Sequence, residues 1–495
     1  MKKFILTIVI SIATLSLVSC NDWLDINYSP NSPSPEMVND DLIFPAAEMA
    51  LCSRYGDYMR FLGSYLSEHY TQFSGASNYL GYSRFTLSAT AVDGVHTMLT
   101  TAIANATIVR DNSEAAGEWG SYLAATCIRV FAYQALVDAF GEISYTEAQK
   151  GAENMHPKFD EGVTVYEGLI AELNAALAKA TDGDAVVNNF LFPNETAGKW
   201  IQFANALKLK IYMRERAKVS VDDKLTALVN AGNFPASDVA WAGCWADEAG
   251  KANPFYQEEF ALYFGSTQIN VGLNVALYRT MTASGDNRLK SFFSANEAGE
   301  YWGSISGYNM SSSKKYKSAA FCRPAMKYNS PVYLITVSEI NFFLSEYYHK
   351  VAKDEVKAKE YYEAAIQASF ASAGAIGAES VLAAWPYDGS DKNLGVQKWV
   401  ALSGTNGFEA WCEMRRLKYP AMGELKAEDI YDFGPNDVLD ASVLTPGELY
   451  TPYQVYTEIG AGKIAQRFPY PKGAQDYNKN CPEEKKTTVP VFWAE

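Results

Sequence analysis

Lys199-Trp200-Ile201-Gln202-Phe203-Ala204-Asn205-Ala206-Leu207-Lys208-Leu209-Lys210-Ile211 is the stretch that decides the fold. Trp200, Phe203, Ala204, Leu207 and Ile211 fall at i, i+3, i+4, i+7 and i+11, which draws one apolar stripe along a helix. The same period returns in Tyr166, Leu169, Ile170, Leu173 and Leu177, and again in Ile340, Phe343, Leu344, Tyr347 and Val351. Three long segments with one period predict a mainly α-helical chain.

Working outward, the helices come in pairs. Residues 118–140 and 162–180 flank a loop containing Gly and Pro, and 333–352 is followed by 355–370 across Lys353-Asp354. Hairpins of this kind, with small residues such as Ala364 and Ala365 where helices cross, are the units of tetratricopeptide-type repeats. No strict register of about 34 residues runs through them, so an irregular helical bundle is the alternative. Two stretches break the pattern: 232–332, rich in Gly, Ser, Asn and aromatics, and 421–495, with Pro, Gly and Tyr. Both are too apolar for disorder and are expected to pack on the helices as loops and short strands, where binding usually resides.

The N-terminus addresses the compartment. Met1-Lys2-Lys3 precedes an uncharged apolar run over residues 4–18, too short to span a bilayer of about 30 Å. Leu17-Val18-Ser19-Cys20 then has the form of a bacterial lipobox, so Cys20 is expected to be lipidated and residues 1–19 removed as a signal peptide. Loss of Lys2 and Lys3 would take the net charge from −15 to −17. Residues 20–40, with repeated Ser and Pro, are expected to form an extended tether, and no transmembrane helix is expected after it.

Composition excludes several classes. A net charge of −15 disfavours nucleic acid, which draws affinity from clustered Lys and Arg. The cysteines after Cys20 (Cys52, Cys127, Cys244, Cys322, Cys412, Cys481) are scattered without a C-x-x-C, which argues against a zinc site and favours buried thiols. His69, His96, His156 and His349 lack metal-ligand spacing. Gly460-Ala461-Gly462-Lys463 has Thr at 457 and Ile at 464 where a phosphate loop needs Gly and Ser or Thr. No cofactor, metal or catalytic residue is expected, although paired carboxylates for glycoside hydrolysis are defined only in space.

The aromatic content, 14% with 32 Tyr, points elsewhere. Sugar rings stack their C–H faces on aromatic rings while planar polar groups bond their hydroxyls. Three segments offer that mixture: Asn78, Tyr79 and Tyr82; Trp241 and Trp245; and Tyr301 and Trp302 with Tyr308 and Asn309. For any one ring, covering a helix end is the competing reading. Trp302 and Tyr301, in Gly- and Ser-rich surroundings, are expected to be the most exposed.

Ordered blocks along the chain carry a family resemblance. Trp23-Leu24-Asp25-Ile26-Asn27 with Pro30-Asn31 follows the lipobox, and Leu136-Val137-Asp138-Ala139-Phe140-Gly141-Glu142-Ile143-Ser144-Tyr145-Thr146-Glu147-Ala148 is the most specific block. Later come Pro157-Lys158-Phe159-Asp160, Lys199 to Lys210, Ser338-Glu339-Ile340-Asn341-Phe342 and Gln397-Lys398-Trp399-Val400. Glu409 to Pro420 and Arg467-Phe468-Pro469-Tyr470-Pro471 complete the set. The chain resembles the SusD/RagB family of outer-membrane lipoproteins of Bacteroidetes-type bacteria, in its SusD-like branch, with Ser144 in place of a common Pro.

The resemblance implies tetratricopeptide-type hairpins in a right-handed superhelix with irregular insertions. One domain is expected over 41–495, with helical repeats at about 41–220 and 331–420. It implies a non-catalytic protein on the outer face of the outer membrane that binds oligosaccharide or polysaccharide for a SusC-like TonB-dependent transporter. A peptide-capturing relative and, further off, a surface glycan hydrolase are the alternatives. The family blocks themselves have a structural account: Arg415 and Arg416 could hold carboxylates or helix-end carbonyls, Gly141 could cap a helix, and Trp200, Trp399 and Trp411 could fill helix crossings.

Overall fold

The computed structural model describes residues 39–261, 270–316 and 320–495. Cys20 and the expected tether up to residue 38 lie outside the described residues.

Ten helices form the scaffold: α1 Asp40–Arg54, α2 Arg60–Leu66, α3 Ala89–Ala116, α4 Trp119–Phe140, α5 Gly162–Leu177, α6 Ala197–Glu215, α7 Val337–Tyr347, α8 Glu355–Ser372, α9 Asp391–Leu402 and α10 Gly407–Leu417. Their ends follow local chemistry. Ser88, Thr336, Asp354, Ser390 and Asn406 each accept a backbone N–H of the first turn of α3, α7, α8, α9 and α10. Gly117, at φ 75°, ends α3 and lets the chain reverse into α4.

The hairpins expected from the sequence are present. α3 packs on α4 and on α1, α4 on α5 and α6, α7 on α8, and α10 on α2 and α9. Ser338 and Ser345 of α7 donate to the carbonyls of Ala365 and Ala358 on α8, at 2.8 and 2.7 Å, a close approach that small residues permit. One boundary differs from expectation. Residues 333–335 are not helical: Val332–Ile335, a β-branched and aromatic run after Pro331, pairs antiparallel with Val239–Trp241, and the helix begins only after the Thr336 cap. A π-helical turn, Tyr348–Ala352, carries α7 to the turn before α8.

The apolar stripe on α6 is wholly buried, Trp200, Phe203, Ala204, Leu207 and Ile211 all at 0% exposure. The second half of α6 is enclosed on every side, and its charges are buried with it. Lys210 lies 3.0 Å from Glu339 of α7 and 3.1 Å from Glu409 of α10. Arg214 bonds Asp138 of α4 together with Glu409 and Glu413. Lys398 of α9 reaches Glu413 at 2.9 Å, and Arg416 grips both Glu346 and Glu413. Five helices are thus joined through one chain of buried ion pairs. Burial alone would raise the Glu346 carboxyl, but the Arg416 guanidinium outweighs it and holds the group down to about 2.

The block around Gly141 closes α4. Gly141 adopts φ 83°, and its amide bonds Val137. Arg467 donates to the Phe140 carbonyl, Arg415 to the carbonyls of Asp138 and Gln466. The Asp138 and Phe140 carbonyls are orphan acceptors at a helix end, met by fixed guanidinium forks. α4 is long and apolar enough to cross a membrane, yet its apolar window is fully buried, so it is a core helix.

Residues 232–332 and 421–495 are built of short pieces. Two-stranded pairings join Tyr70–Gln72 to Val271–Leu273, Phe293–Ser294 to Arg323–Pro324, and Ala421–Lys426 to Glu448–Thr451. Cys52, Cys127, Cys322 and Cys412 are buried free thiols, and Cys244 and Cys481 are free and half-buried.

Candidate functional site

The loop Ser304–Tyr316 is the organiser of the irregular layer. It is stitched to the segment after α2 through its own carbonyls: the Gln72 side-chain amide donates to Tyr308 O, Gly75 N–H to Asn309 O at 2.6 Å, and Arg84 Nε to Gly307 O at 2.9 Å. Beneath it, Glu68 accepts from Asn274 and from Ser306 Oγ, while the Tyr450 hydroxyl accepts the Ser306 N–H. Burial pushes the Glu68 carboxyl up to about 8, against the lowering effect of those two donors.

On this layer Trp302 is exposed, at 37%. One face of its indole is stacked on Tyr278, centroids 5.8 Å apart, and Nε1 points to Glu300 at 3.3 Å. The main chain is fixed by Cys322, whose N–H donates to the Trp302 carbonyl. Trp302 lines an open pocket of about 640 Å³ with Asn296, Glu297, Glu300, Lys315 and Tyr316. Asn296 serves the loop itself, accepting from Ala298 and Glu300 N–H and donating to Ala320 O. An aromatic platform beside carboxylate and ammonium groups can stack a sugar ring and bond its hydroxyls.

From Tyr316 a run of rings continues away from the pocket. Tyr316 meets Tyr431 edge-on at 6.3 Å, Tyr431 meets Phe433 at 4.8 Å, and Phe433 stacks on Tyr453 at 4.6 Å, with Tyr308 closing the group. Phe433 is 37% exposed. Asp437 pins this group to the loop. Its carboxylate accepts from the Tyr431 hydroxyl, Ser313 Oγ and the N–H groups of Lys314 and Lys315, and these donors, Tyr431 first, hold it down to about 2.

The structure distributes the sequence candidates unevenly. Tyr301, adjacent to Trp302, is half-buried against the core. Asn78 is exposed on the 75–80 loop. Tyr79 and Tyr82 stack on each other at 5.9 Å but are half-buried against Phe61, with the Tyr79 hydroxyl bonded to Glu259 and the Tyr82 hydroxyl to Tyr58. Trp241 is corrected outright. It is fully buried on the strand Val239–Trp241, its Nε1 directed at Glu48, and no face is left for a ligand. Trp245 is half-buried and donates to the Trp241 carbonyl. Tyr278, Tyr316, Tyr431, Phe433 and Tyr453 were missed, because they come from segments far apart in sequence. Among the described residues no group of three His, Cys, Asp or Glu is placed to hold a metal ion.

The sequence pattern of the SusD-like_2 family, described as starch-binding and associating with the outer membrane, matches residues 37–433. The chain belongs to the SusD-like family. Solved SusD homologues share the fold of this SusD-like protein. One from Bacteroides uniformis superposes with a TM-score of 0.72 at 20% identity, covering 92% of this chain and 99% of that one. A chitin-binding SusD homologue from Flavobacterium johnsoniae gives 0.71 at 18% identity, covering 92% and 98%. A homologue from Bacteroides thetaiotaomicron gives 0.71 at 16% identity, covering 92% and 99%. No curated protein matches the SusD-like sequence.

Proposed function

We propose that this protein captures oligosaccharide or polysaccharide at the cell surface and hands it to a SusC-like TonB-dependent transporter, without chemistry of its own. It is held to the outer membrane by a lipid on Cys20. The observation that carries the reading is the exposed Trp302 ring, backed by Tyr278 and set in an open pocket with Glu300, Lys315 and Tyr316. The family's description as starch-binding and the chitin-binding relative support a glycan as the ligand class. Lipidation rests on the lipobox, and the transporter on the family resemblance.

Titration calorimetry of the purified protein against a panel of glucans and N-acetylglucosamine oligomers tests this. Binding without release of reducing ends is the expected result. Steady release of reducing ends, or affinity for peptides with none for any glycan, would overturn it. Labelling with radioactive palmitate is expected in the wild type and absent in Cys20→Ser.

A further inference from the structure

Among the described residues the buried cations are matched by carboxylates or carbonyls, and Arg60 is the exception. It is 5% exposed at the start of α2. Lys210, Arg214, Arg288, Lys398 and Arg416 each have a carboxylate within ion-pair distance. Arg415 has none, but it spends its donors on the carbonyls of Trp411, Gln466 and Asp138. Arg60 makes one hydrogen bond, Nη2 to Gly404 O at 3.2 Å, and lies 5.5 Å from the Phe255 ring. Among the described residues no carboxylate comes within 4 Å of it. A guanidinium that is 5% exposed and makes one hydrogen bond within the protein has donors to offer whatever enters the space beside it.

Beside Arg60 is a half-enclosed cavity of about 150 Å³. It sits where the insertion ending in Val332–Ile335 meets the C-terminal end of α8 and the turn between α9 and α10. Hydroxyls line it, among them Ser291, Tyr333 and Thr405. Thr405 Oγ1 is buried and has no hydrogen-bond partner. Asp238 touches the lining through Ser372, but its carboxylate is taken by the Ser372 hydroxyl and Val337 N–H. A planar cationic fork and uncommitted hydroxyls converging on a space of this size form a receptor for a compact oxyanion.

We propose that this cavity binds a small oxyanion, of sulfate or carboxylate type, through the Arg60 guanidinium and the Thr405 hydroxyl. The site is separate from the Trp302 pocket, and it does not depend on glycan capture there. Because its walls come from the insertion and from four scaffold helices, α2, α7, α8 and α9, the bound anion ties the insertion to the helices.

Thermal melts in sodium sulfate and in sodium chloride at equal ionic strength, with glucose 6-sulfate against glucose as a second arm, test the proposal. Melting temperature is expected to rise saturably with sulfate in the wild type. The rise should be lost in Arg60→Met, which keeps the bulk of the side chain, and its half-saturation point should move at least fivefold upward in Thr405→Val. A saturable, Arg60-dependent response to inorganic sulfate assigns the site to a free ion. The same response to glucose 6-sulfate alone assigns it to an acidic substituent on a saccharide. No saturable response in either arm, or an equal response in Arg60→Met, overturns the proposal. If Arg60→Met does not fold, Thr405→Val carries the comparison, and an unchanged half-saturation point in it overturns the proposal.

Discussion

At the scale of single residues, two tryptophans contrast, the proposed platform Trp302 and the packed Trp241. Trp302 stands on the surface with one face free, so Trp302→Ala is expected to weaken glycan binding by about 1 kcal/mol or more, roughly fivefold, with little change in melting temperature. Trp241→Phe should do the reverse. It keeps an aromatic ring but removes the donor directed at Glu48, so stability falls while glycan affinity holds. Calorimetry and thermal melts on the same two variants decide both expectations. Both residues are Trp in irregular sequence without periodicity, and nothing local distinguishes them. What separates them is a strand pairing across some ninety residues, Trp241 with Val332.

Three buried carboxyls give a pH dependence. Burial pushes Glu48 up to about 7 and Glu68 and Asp57 up to about 8. Each stays protonated in the folded chain where the unfolded chain has already ionised it, so unfolding releases protons. Their contribution is complete below pH 4 to 4.5 and is lost as pH rises toward 8. Melting temperature is therefore expected to fall from pH 5 to pH 8, and Glu68→Gln should flatten that fall. A profile unchanged by the substitution would show that Glu68 is ionised in the folded chain.

At the scale of elements, the crossing of α2 and α10 depends on two glycines. A Cβ on Gly63 would lie 2.3 Å from Phe408 Cα, and one on Gly407 would lie 2.6 Å from the Arg60 carbonyl. Gly63→Ala is expected to cost about 1–3 kcal/mol through overpacking. Gly94, in α3, meets nothing closer than 3.7 Å, so Gly94→Ala should stabilise by up to about 1 kcal/mol. Urea denaturation of the two variants reads the difference directly. Arg416→Met leaves Glu346 and Glu413 without that partner in the interior, and a loss of about 3–5 kcal/mol is expected in the same assay.

Helix positions were legible because a period of 3.6 residues survives in the sequence, as the fully buried stripe on α6 shows. Arg415 and Arg416 were legible as holders of carbonyls and carboxylates. Lys210, Arg214 and Lys398 were not, since a cation on a helix ordinarily reads as a solvated face, and only five packed helices enclose these. The strand Val332–Ile335 was misread as the start of α7 because a short apolar run carries no period long enough to separate strand from helix.

Across the whole molecule, the family pattern ends at residue 433, yet the segment beyond it completes the core. Arg467 closes the end of α4, and Trp493, 2% exposed, donates from Nε1 to Asp138 at 2.9 Å. Removal of residues 464–495 is expected to abolish cooperative unfolding in circular dichroism melts, because it uncovers the buried Asp138 and Arg214 pair. Retention of a sharp transition would show the helices to be self-sufficient.

That Trp493 contact joins residues 355 positions apart. Closing so long a loop is entropically slow, and the Asp138 neighbourhood cannot reach its final charge balance until the loop has closed. Ordering in time follows from the topology. The helical pairs can assemble early from local contacts, while the ion chain through α4, α6 and α10 locks last.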